Sequence, residues 1–376
     1  MGRYKMLAAA IFIPLLILSV AGCSGGSKKP IVFAHAAPMT GDSGQFGQVE
    51  SQGIQLAVDQ INAAGGIDGR KVTFVDEDDR GLPDEASNVA QRIASNPDIV
   101  AVVGHWNSSC TLAAIPIYDA AGIPFITSSI NSKISGSSKW EFRDSLTDEQ
   151  AGSQIAQYAV TKLGAKKIAI FYDNNDFGKG QDSVFSSIAT GLGAQIVDTE
   201  SYIEGQSRDF TPQLTKIKAA QPDLIFLAGY YTEGAMIVQQ AQQLKMDVKF
   251  IGPDGLNSDQ LVKLGGSAVE GVMFVGYYSP YRTFPGTAQY NAAYKAKYGH
   301  DSDTFAALAY DATNMILDGM KANGPTRDGI QKYLAGVQNF PGVAGPITFN
   351  DKHDATRNII VLTIKNGQIV PADIQP

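Results

Sequence analysis

Cysteine is nearly absent: Cys23 and Cys110 are the only two in 376 residues. Cys23 closes a leader described below, so Cys110 has no partner and the mature chain cannot form an intramolecular disulfide. The four histidines, His35, His105, His300 and His353, show no ligand spacing. With so few cysteines a structural zinc site is excluded, and neither metal nor other cofactor is expected. Positive charge is sparse too. The formal net charge is −7, and it becomes −9 once Arg3 and Lys5 leave with the leader. No basic run exceeds a pair such as Lys28-Lys29, which excludes nucleic acid as a partner. The one Gly-x-Ser-x-Gly match, Gly22-Cys23-Ser24-Gly25-Gly26, falls at the end of the leader and not after an expected strand, and there is no phosphate-loop lysine and no His-Glu-x-x-His pair, so no catalytic residue is expected and a hydrolase is the disfavoured rival. No repeat of fixed period is present.

What is present begins with the leader. Arg3 and Lys5 open the chain, an apolar run from Leu7 to Val20 follows, and Val20-Ala21-Gly22-Cys23 closes it. A spanning helix needs about 20 apolar residues. This run is shorter, contains Pro14, and gives way at once to Ser24-Gly25-Gly26-Ser27-Lys28-Lys29. It reads as a signal peptide over 1–22 ending in a lipobox, with Cys23 as the lipidation site and 23–29 as a flexible tether. The protein is then expected outside the cytoplasmic membrane, held there by its lipid alone.

The remaining 350 or so residues suffice for two domains. From Ile31 onward short apolar runs alternate with helical periodicity, the signature of an α/β fold with mainly parallel sheets. Strands are expected at Ile31 to Ala34, Val72 to Val75, Ile99 to Val103 and Pro124 to Thr127. The intervening helices are marked by Ile54, Ala57, Val58 and Ile61, and by Leu82, Ala86, Val89, Ala90 and Ile93, with Pro83 in a first turn. The same unit resumes with strands at Ile168 to Tyr172, Leu224 to Ala228, Lys249 to Ile251 and Val272 to Val275. A long stripe, Phe305, Leu308, Ala309, Ala312, Ile316 and Met320, marks a late helix. Near the end, Ile359 to Ile364, Asn366-Gly367 and Gln368 to Val370 read as a hairpin with a primed turn.

In open parallel sheets ligands sit beyond the carboxyl ends of strands. After Ile99 to Val103 comes Gly104-His105-Trp106-Asn107-Ser108-Ser109, where hydroxyls meet the start of a helix whose free N–H groups attract an anion. Ser108 and Ser109 also suit helix capping. Ser128-Ser129-Ile130-Asn131 follows the next strand, as a polar cleft segment or an ordinary loop. Asp173-Asn174-Asn175-Asp176-Phe177-Gly178 is no calcium loop: counted from Asp173, Phe177 takes the fifth, ligand position and Val184 stands at the twelfth in place of the terminal glutamate, although Gly178 falls at the sixth. Within it Phe177 is an apolar ring at a strand end, a pocket wall or a core residue. Tyr230 and Tyr231 follow Leu224 to Gly229, and Asp254 lies in Gly252-Pro253-Asp254-Gly255, where an aspartate also serves turn formation. Hydroxyls and helix N–H groups for a carboxylate, one anion for an ammonium and aromatic walls together complement an α-amino acid.

The sequence resembles the branched-chain amino-acid-binding proteins of ABC importers, the leucine/isoleucine/valine-binding family with the type I periplasmic-binding-protein fold. The resemblance spans the mature chain. It is carried by Ala37-Pro38-Met39-Thr40-Gly41 with Phe46-Gly47, by Asp59 to Ile67, and by Val103-Gly104-His105. It continues through Gly122-Ile123-Pro124, Asp173 to Gly178, Gly229-Tyr230, Gly252 to Gly255 and Gly345 to Phe349. It implies two doubly wound lobes joined by a three-segment hinge, with crossings near Ser145 to Asp148, Tyr277 to Pro280 and Asn350 to Asp351. The lobes become 30–146 with 277–350, and 147–276 with 351–376. It implies further that Ser108, the backbone around Ser129 and Asn131 hold the ligand carboxylate, and that Asp254 and the Ser129 carbonyl hold the ammonium. Phe46, Trp106, Phe177, Tyr230, Gly255 and Phe305 then form the side-chain pocket. Asp254 is a methylene shorter than the family's usual glutamate, Asn131 replaces a hydroxyl, and Phe177 stands where some members have tyrosine. The expectation is a monomeric binding protein that delivers an amino acid, branched-chain or otherwise apolar, to ABC permease subunits. Its rivals are a sensory ligand-binding module and the same import role for an amide or small carboxylate.

Overall fold

The computed structural model describes residues 1–2, 28–282 and 284–373. The apolar leader and Cys23 lie outside the described residues. The first half of the chain gives β1 (Ile31–Ala37), α1 (Gly44–Ala63), β2 (Val72–Asp78), α2 (Pro83–Ser95), β3 (Ile99–Gly104), α3 (Ser108–Ala121), β4 (Phe125–Thr127) and β5 (Glu141–Arg143). A second run follows as α4 (Asp148–Gln157), β6 (Lys167–Asp173), α5 (Asp176–Gly191), β7 (Gln195–Tyr202), α6 (Thr211–Ala220), β8 (Leu224–Ala228), α7 (Tyr231–Gln243), β9 (Lys249–Gly252), α8 (Asp259–Gly265) and β10 (Met273–Gly276). The last part contains α9 (Thr287–Tyr298), α10 (Thr304–Asn323), α11 (Arg327–Leu334), β11 (Phe340–Gly342), β12 (Gly345–Ile347), β13 (Ile360–Lys365) and β14 (Gln368–Pro371).

Two large sheets result. The first runs β2-β1-β3-β4-β5, all parallel. Alternation along its strands feeds two cores, as a pleat requires. Phe33, Ala101 and Val103 pack with Ile54 and Ala57 of α1 and Met315 and Ile316 of α10. Ala34, Ala36 and Val102 face the other way, onto Val89 and Ile93 of α2 and Ala114 and Tyr118 of α3. Helices α1 and α10 touch backbone to side: a Cβ on Gly53 would come within 2.1 Å of the Ala306 carbonyl oxygen, so only glycine fits there.

The second sheet runs β14-β13-β10-β9-β8-β6-β7. Strands β6 to β10 pair parallel, and β13 and β14 add an antiparallel edge. The β13–β14 turn has Asn366 at φ 52° and Gly367 at φ 70°, the primed geometry expected of Asn-Gly. In each sheet the strand order reverses once, between β1 and β3 and between β6 and β8, and the loops beyond those strands open a crevice.

The chain passes from the first sheet to the second after β5, and returns after β10 to α9, α10 and α11. Its third passage falls later than expected. Arg143 of β5 bridges to Asp354, and Ala355 is buried in the first sheet's core. The passage therefore lies at residues 356–359, not at Asn350 to Asp351. Among the described residues no helix is long and apolar enough to cross a membrane.

Candidate functional site

Each strand-end segment delivers its residues to the space between the lobes. The segments after β1, β3 and β4, with the first turns of α1 and α3, carry Phe46, Trp106, Ser108, Ser129 and Asn131, while those after β6, β8 and β9, with the first turn of α5, carry Phe177, Tyr230, Asp254 and Gly255. All but Gly255 pack as aromatic or polar side chains, and all are buried.

The aromatic residues make one continuous cluster. Phe46 and Trp106 stack with centroids 3.8 Å apart, and Phe305 meets both edge-on at 5.0 and 5.2 Å. From the second lobe Phe177 stacks on Tyr230 at 5.0 Å, and Tyr230 lies 5.4 Å from Trp106. The lobes are closed on one another. Gly255 forms the floor, since a Cβ there would sit 2.9 Å from Tyr230 and 3.1 Å from Phe177. Tyr231, which meets Phe46 edge-on at 5.0 Å and accepts from the Gln45 N–H, joins this wall without having been assigned to it.

The polar groups divide into committed and uncommitted atoms. Ser108 begins α3, yet the N-cap residue is Asn107 and no side chain caps the helix, so capping is not the role of Ser108 or Ser109. Among the described residues the buried Ser108 hydroxyl has no partner, nor has the indole N–H of Trp106. Ser129 is different. Its hydroxyl donates to the Trp106 carbonyl at 2.7 Å and meets Thr111 Oγ1 at 2.6 Å, and its N–H donates to Thr127 Oγ1 at 3.0 Å. The expected N–H for a carboxylate is thus spent, and the carbonyl accepts the Ser145 hydroxyl at 3.4 Å, which leaves it one lone pair. Asn131 donates from Nδ2 to the Asp176 carbonyl at 2.6 Å and accepts the Lys133 N–H at 3.0 Å, which leaves one amide proton.

Asp254 opens a short 3-10 turn after β9 and is almost wholly buried. Tyr277, at the second passage between lobes, donates its hydroxyl to Oδ2 at 3.1 Å, while Oδ1 has no partner among the described residues. Burial pushes the carboxyl up to about 7, against the pull of the Tyr277 hydroxyl and nearby N–H groups. Such a group favours a cation beside it, because the charge it carries when ionised is otherwise uncompensated. Tyr277 was not predicted as part of the site. Its signal was only its place in an expected crossing.

The rest of the first lobe holds these segments in place. His35 of β1 meets Asp76 at 2.7 Å and Glu50 at 3.3 Å, and Glu50 accepts the Ser128 hydroxyl at 2.8 Å. Among the described residues no group of three His, Cys, Asp or Glu side chains could hold a metal. The Asp173 to Phe177 run is a helix start, with Asn175 accepting the Gly178 N–H at 2.9 Å. A cavity of about 590 Å³ lined by Asn257, Tyr278, Tyr281 and Asp303 lies beside the lobe crossings and contains none of the predicted site residues.

Two doubly wound lobes, three passages between them and a closed aromatic cleft with uncommitted polar atoms on both sides define a two-lobed solute-binding protein. Comparison with known proteins is specific: the chain matches the periplasmic binding protein family over residues 30–368, and it belongs to that family. It is 30% identical over 330 residues to an amino acid binding protein of Pseudomonas aeruginosa, covering 86% of this chain and 87% of the relative. A leucine binding protein, LivK, from Thermotoga maritima superimposes with a TM-score of 0.85 at 31% identity, covering 91% of this chain and 97% of the other. The branched-chain amino acid transporter substrate binding protein LivJ from Streptococcus pneumoniae, solved with isoleucine, also gives 0.85 at 31%, covering 90% and 97%. The chain is a binding protein and not an enzyme.

Proposed function

We propose that this protein captures an α-amino acid with a branched or otherwise apolar side chain between its lobes and presents it to the permease of an ABC importer. The observation that carries the reading is a pair of buried atoms on opposite lobes without partners among the described residues, the Ser108 hydroxyl at the start of α3 and Asp254 Oδ1 beyond β9. A hydroxyl at a helix N-terminus suits a carboxylate, and a buried carboxylate suits an ammonium. The aromatic cluster of Phe46, Trp106, Phe177, Tyr230 and Phe305 supplies the apolar wall between them, and the Ser129 carbonyl and the remaining Asn131 proton complete the polar set. The relatives named for leucine and for branched-chain amino acids, one of them solved with isoleucine, support the same class of ligand.

In this reading the lobes are residues 30–146 with 277–355, and 147–276 with 356–376. They open about the three passages to admit solute and close over it, and the closed form is what the permease recognises. The protein is exported, lipid-anchored through Cys23 and monomeric. Thermal-shift screening against the amino acids tests the ligand class, because solute at 100 times Kd stabilises the fold by about 2.7 kcal/mol. Leucine, isoleucine or valine should give the largest shift; no shift with any amino acid would refute the reading.

A further inference from the structure

Every polar atom of Asp176 is bonded to the opposite lobe. Asp176 is the first residue of α5, in the second lobe, within the aspartate- and asparagine-rich run that makes no calcium loop. Its N–H donates to Ser109 Oγ at 3.2 Å, and Ser109 Oγ donates in turn to Oδ2 at 3.2 Å. Its carbonyl accepts from Asn131 Nδ2 at 2.6 Å, and Oδ1 accepts from Lys133 Nζ at 3.0 Å. Ser109, Asn131 and Lys133 all belong to the first lobe, on the α3 start and the segment after β4. Ser109 adjoins Ser108, and Asp176 adjoins Phe177, so the contact sits one residue from each wall of the cleft.

We propose that Asp176 is a positioning residue that sets ligand affinity through lobe closure, independently of which amino acid is bound. This rests on the reading of the cleft as a closing binding site. The contacts exist only while α5 is seated on the first lobe. Asp176 therefore stabilises the closed state without itself forming the pocket wall. A protein that binds tightly only when closed has an apparent Kd raised by the inverse of its closed fraction, by the same factor for every ligand. Lys133 and the Asp176 carboxylate are partly exposed, so this component of closure is screened by salt.

The test uses D176A and K133A in the full mature chain, with small-angle scattering in the absence of ligand and calorimetric titration with leucine and with valine. D176A should enlarge the unliganded radius of gyration and weaken leucine and valine in parallel by about tenfold, leaving their affinity ratio unchanged. K133A should act in the same direction by less, and D176A/K133A should be no worse than D176A alone, since both remove one contact. An unliganded radius equal to that of wild type overturns the proposal, and so does an altered leucine-to-valine ratio, which would mean that Asp176 shapes the pocket through Phe177. If wild type binds neither amino acid, the ligand class is wrong, while the scattering comparison still decides whether Asp176 holds the lobes together.

Discussion

The Tyr277 hydroxyl donates to Asp254 Oδ2 at 3.1 Å, joining the second passage between the lobes to the one carboxylate assigned to the ligand ammonium. Through this bond the anion proposed to attract the ligand is tied to the second passage between the lobes. The bond also orients the carboxylate so that Oδ1 alone remains for a ligand.

Because burial raises the Asp254 carboxyl from 3.8 to about 7, binding of an ammonium should be linked to loss of a proton. Affinity should fall by up to tenfold per pH unit below about pH 7 and be flat just above it. Stability runs the other way. A raised folded-state pKa gives a contribution that is full below the unfolded value of 3.8 and is lost as pH rises through about 7. Asp254→Asn, which carries no charge to bury, should thus melt above wild type at about pH 8, with the gap closing toward about pH 4. Melting curves of both proteins without ligand check this.

Ser108→Ala removes a neutral donor from a carboxylate that keeps the helix N–H groups, and should cost about 1.5–3 kcal/mol of binding. Asp254→Ala leaves an ammonium buried without a partner, and should cost about 3–5 kcal/mol, a loss of 100-fold or more. Calorimetric titration of both variants checks the ranking.

His35 is buried, which disfavours its charge, yet hydrogen bonds from its ring to Asp76 and Glu50 raise it to about 9. Its contribution to stability is full below 6.5 and is lost as pH rises through about 9, at most on the order of 3 kcal/mol. Thermal melts between about pH 6 and 9.5 should show this loss in wild type and a flatter profile in His35→Gln. Since Glu50 also holds Ser128, the variant should weaken ligand binding modestly.

Cys23→Ser should abolish membrane retention of processed protein, or leave an uncleaved precursor, while the lobes still bind ligand. Membrane fractionation followed by a thermal-shift assay checks both halves.

Particular elements show how far the sequence alone reached. Strand β8 was read to the residue, because Leu224 to Ala228 is an unbroken apolar run that the structure buries on both faces. Strand β7, Gln195–Tyr202, was missed: it is an edge strand, and its polar residues leave no apolar run to read. Strand β5 is only Glu-Phe-Arg, and its Arg143 is buried against Asp354, more than 200 positions away, which no local pattern reveals. The strand-end rule singles out Ser108, Phe177, Tyr230 and Asp254, all of which the structure buries. Phe46 and Phe305 lie inside helices α1 and α10, where the same rule does not look, and only the resemblance to known binding proteins implied them. Tyr277 and Asp176 bond to residues distant in sequence, Asp254 and Asn131, so no local pattern points to either contact.

We propose that one carboxylate, Asp254, reads the ligand's ammonium across a cleft whose other side reads its carboxylate. The most direct test is a calorimetric cycle in which wild type and Asp254→Asn are each titrated with leucine and with 4-methylpentanoate, the same molecule without its amino group. Wild type should bind leucine about 100-fold or more tightly than the deaminated acid, and Asp254→Asn should bring the two ligands to nearly equal, weak affinity. A variant that keeps the wild-type preference for leucine would contradict the assignment and reduce Asp254 to a residue of the turn it occupies.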